Sequence, residues 1–121
     1  MSSMQINNSE FIEVLYNTCY GGWSPSPLAT ELYKIRMKEK YPNFISDESF
    51  SFYFPQSYRH DPILVQIFKE LGAEFDDEYS RTQLVSIPKI YIERYSITED
   101  PEADGIEKVV IDVTPKYNLD Y

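Results

Sequence analysis

Apolar and polar positions alternate along residues 11–18, and this period of two predicts a β-strand. Further along, the spacing of apolar residues lengthens to that of a helix over residues 27–40. Ser24 or Ser26 can cap the start of this helix with a side-chain oxygen. The apolar face predicted for it consists of Leu28, Leu32 and Ile35.

A second helix is predicted after residue 61, where its start and its end are both marked. Asp61 offers a carboxylate cap, and Pro62 suits a first helical position, where no backbone N–H is needed. Gly72 supplies the glycine that commonly ends a helix. The apolar face of this helix consists of Leu64, Ile67, Phe68 and Leu71.

The second half of the chain is predicted to form mainly β-strands. Residues 84–87 and 89–95 are predicted strands separated by Pro88, and residues 106–113 are a predicted final strand. A turn-rich loop over residues 98–105 would join the last two as a hairpin.

These elements predict an α+β fold, with two helices packed on one face of a small, mostly antiparallel sheet. The aromatic run 50–54 could add an edge or buried strand. At 121 residues the chain is long enough for one domain. Its polar termini, about residues 1–9 and 114–121, could be loose or dock elsewhere.

Charge and composition narrow the classes of partner. The net charge is −9, and the last 61 residues carry −8 of it, so an acidic surface is expected to repel nucleic acid. Eleven Tyr and seven Phe build a core and can also build a contact surface for protein. The chain has a single cysteine, no apolar segment of membrane-spanning length and no signal peptide at its start, so a soluble, non-secreted protein is expected.

The turn before the first helix is the first candidate binding site. Tyr20, Gly21, Gly22 and Trp23 lead into a helix start, where exposed N–H groups can hold an anion. Known phosphate-binding loops have more glycines or a following lysine, and neither is present here. A tight turn that needs positive φ at glycine is the competing interpretation, and it is the favoured one.

Arg59 and His60 precede the second helix and form the second candidate site. Arg59 could bind a carboxylate or phosphate, or it could pair with the acidic loops of the sheet. His60 is a candidate general base, either alone or as the group that activates Cys19 as a nucleophile. A lone cysteine at a strand end is, however, more often a small core residue. No catalytic residue, metal site or cofactor is predicted. The acidic segment 100–105 imitates half of a calcium loop but lacks its final glutamate.

The order of these motifs resembles a family of small uncharacterised proteins of tailed bacteriophages and giant DNA viruses. The similarity covers about residues 14–110, except a longer insert at 42–57 and a longer loop at 97–103. It implies a viral origin and a shared fold, without implying any chemistry. The matching residues are Cys19, Tyr20, Gly21, Gly22, Trp23, Ser26, Ala29, Tyr33, Arg59, Asp61, Pro62, Leu64, Val65, Glu70, Leu71, Gly72, Leu84, Val85, Ile87, Pro88, Asp104, Gly105, Glu107 and Val109.

The favoured function is therefore that of a viral accessory or virion-associated protein, located in the host cytoplasm or the virion, that binds another protein. The alternative is a domain or enzyme that binds a small anionic ligand between the Gly21–Gly22 turn and Arg59. Homo-oligomerisation is compatible with both functions.

Overall fold

The computed structural model describes residues 10–45, 52 and 56–113, and it confirms the α+β fold. The predicted loose termini and most of the aromatic run 50–54 lie outside these residues. In chain order, the described helices and strands are β1 (Phe11–Asn17), α1 (Pro27–Lys40), a 3₁₀ helix (Gln56–His60), α2 (Pro62–Leu71), a 3₁₀ helix (Gly72–Phe75), β2 (Thr82–Pro88), a 3₁₀ helix (Lys89–Tyr91), β3 (Tyr95–Asp100) and β4 (Ala103–Ile111).

Two antiparallel ribbons replace the single predicted sheet. β1 pairs with β2 and β3 pairs with β4, so each described sheet has two strands. The helices cover one face of the β1–β2 ribbon, where Leu15 and Leu84 join the larger hydrophobic core. The β3–β4 hairpin covers the other face, where Val14 and Ile87 join a smaller core with Tyr95.

Both predicted helices are present with the expected start signals. The Ser26 hydroxyl accepts the Ala29 N–H at 3.1 Å, and an Asp61 oxygen accepts the Ile63 N–H at 2.8 Å. Gly72 ends α2 with a φ of +58°.

The predicted apolar face of α1 is wrong at two positions. Leu28 and Ile35 are about half exposed, whereas Ala29 and Tyr33 are buried. The helix therefore packs through a small residue and an aromatic ring, which lie about 100° and 140° around its axis from Leu28. Tyr33 takes this place because its ring packs against Tyr58 and Phe52, while its hydroxyl donates to Asp61 at 2.6 Å.

The strand predicted over residues 89–95 is also wrong. Residues 89–91 form a 3₁₀ helix and residues 92–94 a turn. Pro88 ends β2, and this compact connection then carries the chain to the opposite face of the ribbon. The hairpin exists but is longer than predicted, because residues 98–100 and 103–105 are strand and the turn is only Pro101 and Glu102.

Candidate functional site

Arg59 lies at the end of a 3₁₀ helix and forms an ion pair with Glu107 of β4. Its two terminal nitrogens donate to the two carboxylate oxygens, at 2.6 and 2.9 Å. Both side chains are only 7% exposed. This is the bidentate geometry in which Arg and carboxylate bind most strongly. The predicted ion pair is confirmed, with its partner on a strand rather than in a loop.

Trp23 completes the surroundings of the guanidinium. The Arg59 carbon Cζ lies 3.9 Å from the centre of the Trp23 ring, a cation–π contact in a desolvated setting. The indole N–H donates to the Thr82 hydroxyl at 3.0 Å. That hydroxyl donates in turn to Asp76, which also accepts the Thr82 N–H at 2.8 Å. Trp23 is thus fixed at both its face and its edge.

The ion pair also closes the outer edge of β1. Arg59 donates to the Leu15 carbonyl at 3.3 Å, and the Asn17 N–H donates to Glu107 at 2.8 Å. These two backbone groups point away from β2 and would otherwise need a further strand. One charged pair therefore satisfies an edge that lies inside the protein.

Asn17 ties this edge to the glycine turn. Its amide nitrogen donates to the carbonyls of Cys19 and Gly105, each at 2.6 Å, and its side-chain oxygen accepts the Arg81 N–H at 2.8 Å. The side chain is fully buried, so each of these bonds replaces a bond to water.

Gly21 and Gly22 have positive φ values, +103° and +91°, as the tight-turn interpretation requires. Gly105 of β4 lies against them, because a Cβ on Gly105 would come within 2.5 Å of the Gly21 nitrogen. Tyr20 is 62% exposed. The turn therefore packs against another backbone, and the anion site proposed for it remains a prediction.

The predicted binding residues are thus only partly brought together. Trp23 and Arg59 are in contact, whereas His60 contacts Tyr95, with 2.6 Å between Nδ1 and the hydroxyl. Cys19 forms hydrogen bonds with the Asn17 side chain through its backbone N–H and carbonyl. Nothing in the described contacts joins Cys19 to His60.

His60 borders an open cleft of about 410 Å³ between α2 and the end of the β1–β2 ribbon. Burial lowers the pKa of His60, and the nearby Asp61 carboxylate opposes that shift. Burial also raises the pKa of Tyr95 to about 12, so both groups are neutral near pH 7. The opposite rim carries Lys69 bonded to Glu13 at 2.7 Å. The full lining is Phe11, Ile12, Glu13, His60, Pro62, Val65, Gln66, Lys69 and Ser86.

The outer edge of β2 differs from that of β1. Thr18 N–H donates to Arg81 carbonyl at 2.8 Å, which fixes the antiparallel pattern along the ribbon. The backbone groups of Gln83, Val85 and Ile87 therefore face β1. Those of Leu84 and Ser86 face outward, and no described strand pairs with them.

This open edge is bounded at both ends. Thr82 N–H is already bonded to Asp76, and Pro88 has no N–H to offer. The seven residues of β2 carry no charge, while exposed Arg81 precedes them and exposed Lys89 follows. Neither cation has an ion-pair partner within the described residues.

Several residues of this candidate site carry little signal in the sequence. Glu107 stands near the β-branched residues Ile106 and Val109, a pattern that fits a buried partner and a solvated charge equally. Asn17 and Asp76 gave no such signal. Asn17 bonds to Gly105, 88 residues away, and Asp76 bonds to Thr82, 6 residues away, and neither contact follows from the local pattern. Within the described residues, no group of three or more His, Cys, Asp or Glu could hold a metal ion.

No helix within the described ranges has the length and apolar character needed to cross a bilayer. Comparison with protein-family models, curated proteins and solved structures finds no match. The resemblance to phage and giant-virus proteins therefore remains a prediction.

Proposed function

We propose that this chain binds another protein, and that an extended segment of that protein adds as a third strand at the open edge of β2. The observation that carries the proposal is the outward-facing backbone of Leu84 and Ser86 in an uncharged strand. Exposed edges of this kind pair readily with other chains unless charge, proline or a covering element protects them. A viral accessory or virion-associated setting, in the host cytoplasm or virion, is part of the same proposal.

The two faces beside this edge support the proposal. Leu84 and Val85 are half-buried on opposite faces of the ribbon, so an added strand would extend both hydrophobic layers. A cleft of about 470 Å³ adjoins the start of β2 and contains Phe68 and Ala73. It can accept one side chain of the added strand, which is how strand-addition sites gain specificity.

The test blocks the edge without disturbing the ribbon. Ser86→Pro removes an outward N–H, whereas Ser86→Ala keeps it and serves as the matched control. Both variants and the wild type are immobilised and exposed to extract from infected cells. A partner held by the wild type and Ser86→Ala but lost with Ser86→Pro is expected.

Amide hydrogen exchange then locates the contact on the chain. The amides of Leu84 and Ser86 should exchange quickly in the free protein and slowly in the complex, while Val85, bonded to β1, is protected in both. Equal retention of the partner by the wild type and both variants, or unchanged exchange at Leu84 and Ser86, would contradict strand addition.

The cleft beside His60 favours a second candidate, the binding of a small ligand. The predicted site between the Gly21–Gly22 turn and Arg59 has less support, since the guanidinium is engaged by Glu107, Trp23 and Leu15. A thermal-shift screen with nucleotides and carboxylic acids tests both positions. A shift abolished by His60→Gln assigns the ligand to the cleft, and no shift with any compound removes this candidate.

A further inference from the structure

The two ends of the open β2 edge have the same sign of charge. Arg81 and Lys89 flank the seven uncharged residues, both are exposed, and neither is paired within the described residues. The chain as a whole is strongly acidic, with a net charge of −9. The two unpaired cations therefore frame the edge, whereas the Asp76 and Asp77 carboxylates beside Arg81 already accept hydrogen bonds from the Thr82 and Glu78 N–H groups.

We infer that the segment bound at this edge is an extended strand with carboxylate side chains near both of its ends, an inference that rests on the proposed strand addition. Nine positions separate Arg81 from Lys89 inclusive, so a strand of about nine residues can place one acid beside each cation. Because both ends of the frame are cationic, an acid-flanked strand satisfies it in either direction. The middle of the bound strand is uncharged, to match residues 82–88.

Charge decides against a second copy of this chain as the occupant. Two β2 edges can pair antiparallel with Leu84 opposite Ser86, the register in which the two missing donors, at Thr82 and Pro88, face each other. That register also places Arg81 of one copy beside Lys89 of the other. Like charges would then meet at both ends, between two molecules that each carry −9.

The experiment uses two synthetic peptides of nine residues with the same centre. One has two glutamates at each end around five alternating valines and threonines, and the other has lysines in place of the glutamates. Bulk attraction to a protein of charge −9 would favour the lysine peptide. The inference predicts the reverse, about tenfold tighter binding of the glutamate peptide at low salt, with the preference shrinking at high salt.

A charge exchange in the protein sharpens the test. The variant with Arg81→Glu and Lys89→Glu should reverse the preference and bind the lysine peptide more tightly. Lys38→Glu with Lys40→Glu, at two exposed positions of α1, is the matched control: it makes the same change in net charge away from the edge and should keep the preference for glutamate. Circular dichroism confirms that each variant is folded.

Each outcome separates this inference from the strand addition on which it rests. Equal binding of both peptides, abolished by Ser86→Pro, overturns the acid preference and leaves strand addition standing. A preference for glutamate that survives Ser86→Pro overturns the inference, because the peptide then binds elsewhere. Binding of neither peptide removes both proposals. A dimer in sedimentation that Ser86→Pro dissociates assigns the edge to a second copy and overturns the inference.

Discussion

The β1–β2 ribbon has two outer edges, and the backbone groups of these edges differ in whether they have hydrogen-bond partners. On the β1 side, the backbone of Leu15 and Asn17 is satisfied by the buried pair of Arg59 and Glu107. On the β2 side, the outward groups of Leu84 and Ser86 have no described strand beside them. The first edge lies inside the protein, where an unmet backbone group is costly, and the second lies where a partner or water can meet it.

The closed edge at β1 serves stability, whereas the open edge at β2 is free to serve function. A buried ion pair is expensive to form, because two charges leave water. Its persistence at β1 indicates that it substitutes for a missing strand, with geometry that an apolar pair could not supply. An open, uncharged edge is an aggregation hazard unless it has a use, and this is the physical ground for placing the binding site at β2.

The largest expected effect comes from breaking the closed edge. Arg59→Leu leaves the Glu107 carboxylate buried without its cation, and it also removes the donor to Leu15. We expect a loss of about 3–5 kcal/mol in the free energy of unfolding, measured by urea denaturation. The double variant with Glu107→Leu should recover part of this loss. A single variant that costs under about 1 kcal/mol would show that the pair does not support the edge.

A smaller loss in the free energy of unfolding is expected from a substitution where β4 contacts the Gly21–Gly22 turn. Gly105→Ala adds a Cβ that would overlap the Gly21 backbone, at a φ of +89°. We expect a cost of about 2–5 kcal/mol, combining about 1–2 for positive φ with about 1–3 for the overlap. Gly72→Ala is the matched control, since its φ is also positive and nothing lies within 4 Å. Equal costs for both variants would contradict the close approach of the two backbones.

Sequence could predict the turns and caps of this fold, because they depend on local chemistry. Asp61 and Pro62 start α2 and the glycines 21, 22 and 72 take positive φ, all as their residue types demand. The buried face of α1 was mispredicted because apolar spacing treats Tyr33 as less apolar than Ile35. The Tyr33 hydroxyl can be buried only because it donates a hydrogen bond to Asp61.

The contrast between the two edges could be predicted only as far as an ion pair of Arg59, without its partner or its place at β1. Arg59 and Glu107 are 48 residues apart, and either could have been a solvated charge. Only the pairing register shows that the backbone N–H and carbonyl of Leu15 point away from β2 and that those of Leu84 point away from β1. What local pattern misses is therefore the direction in which backbone groups point, and the candidate site depends on that direction.

Proline substitutions at two adjacent positions separate the inner and outer edges of β2. Val85→Pro removes an N–H that faces β1, and we expect a cost of about 1–3 kcal/mol from the carbonyl left unmet in β1. Ser86→Pro removes an outward N–H and should cost less, under about 1 kcal/mol. Urea denaturation of both variants gives the comparison. Similar losses would mean that the outer edge of β2 is bonded in the native protein.

The smallest expected effect is on the pH dependence of stability, and it comes from His60 at the border of the open cleft. Burial lowers the pKa of His60 in the folded protein, so the unfolded chain binds a proton more readily. Stability attributable to His60 is therefore complete above its unfolded pKa, about 6.5, and is lost as the pH falls through that value toward the folded pKa.

His60→Gln should flatten this part of the curve of unfolding free energy between about pH 7.5 and pH 5.5. The carboxylates titrate mainly below this range and are common to both proteins, so the difference between the two curves isolates the imidazole. A stability advantage of the wild type over His60→Gln that grows as the pH falls would have the wrong sign. It would mean that His60 is protonated in the folded state and that the Asp61 carboxylate, rather than burial, dominates its surroundings.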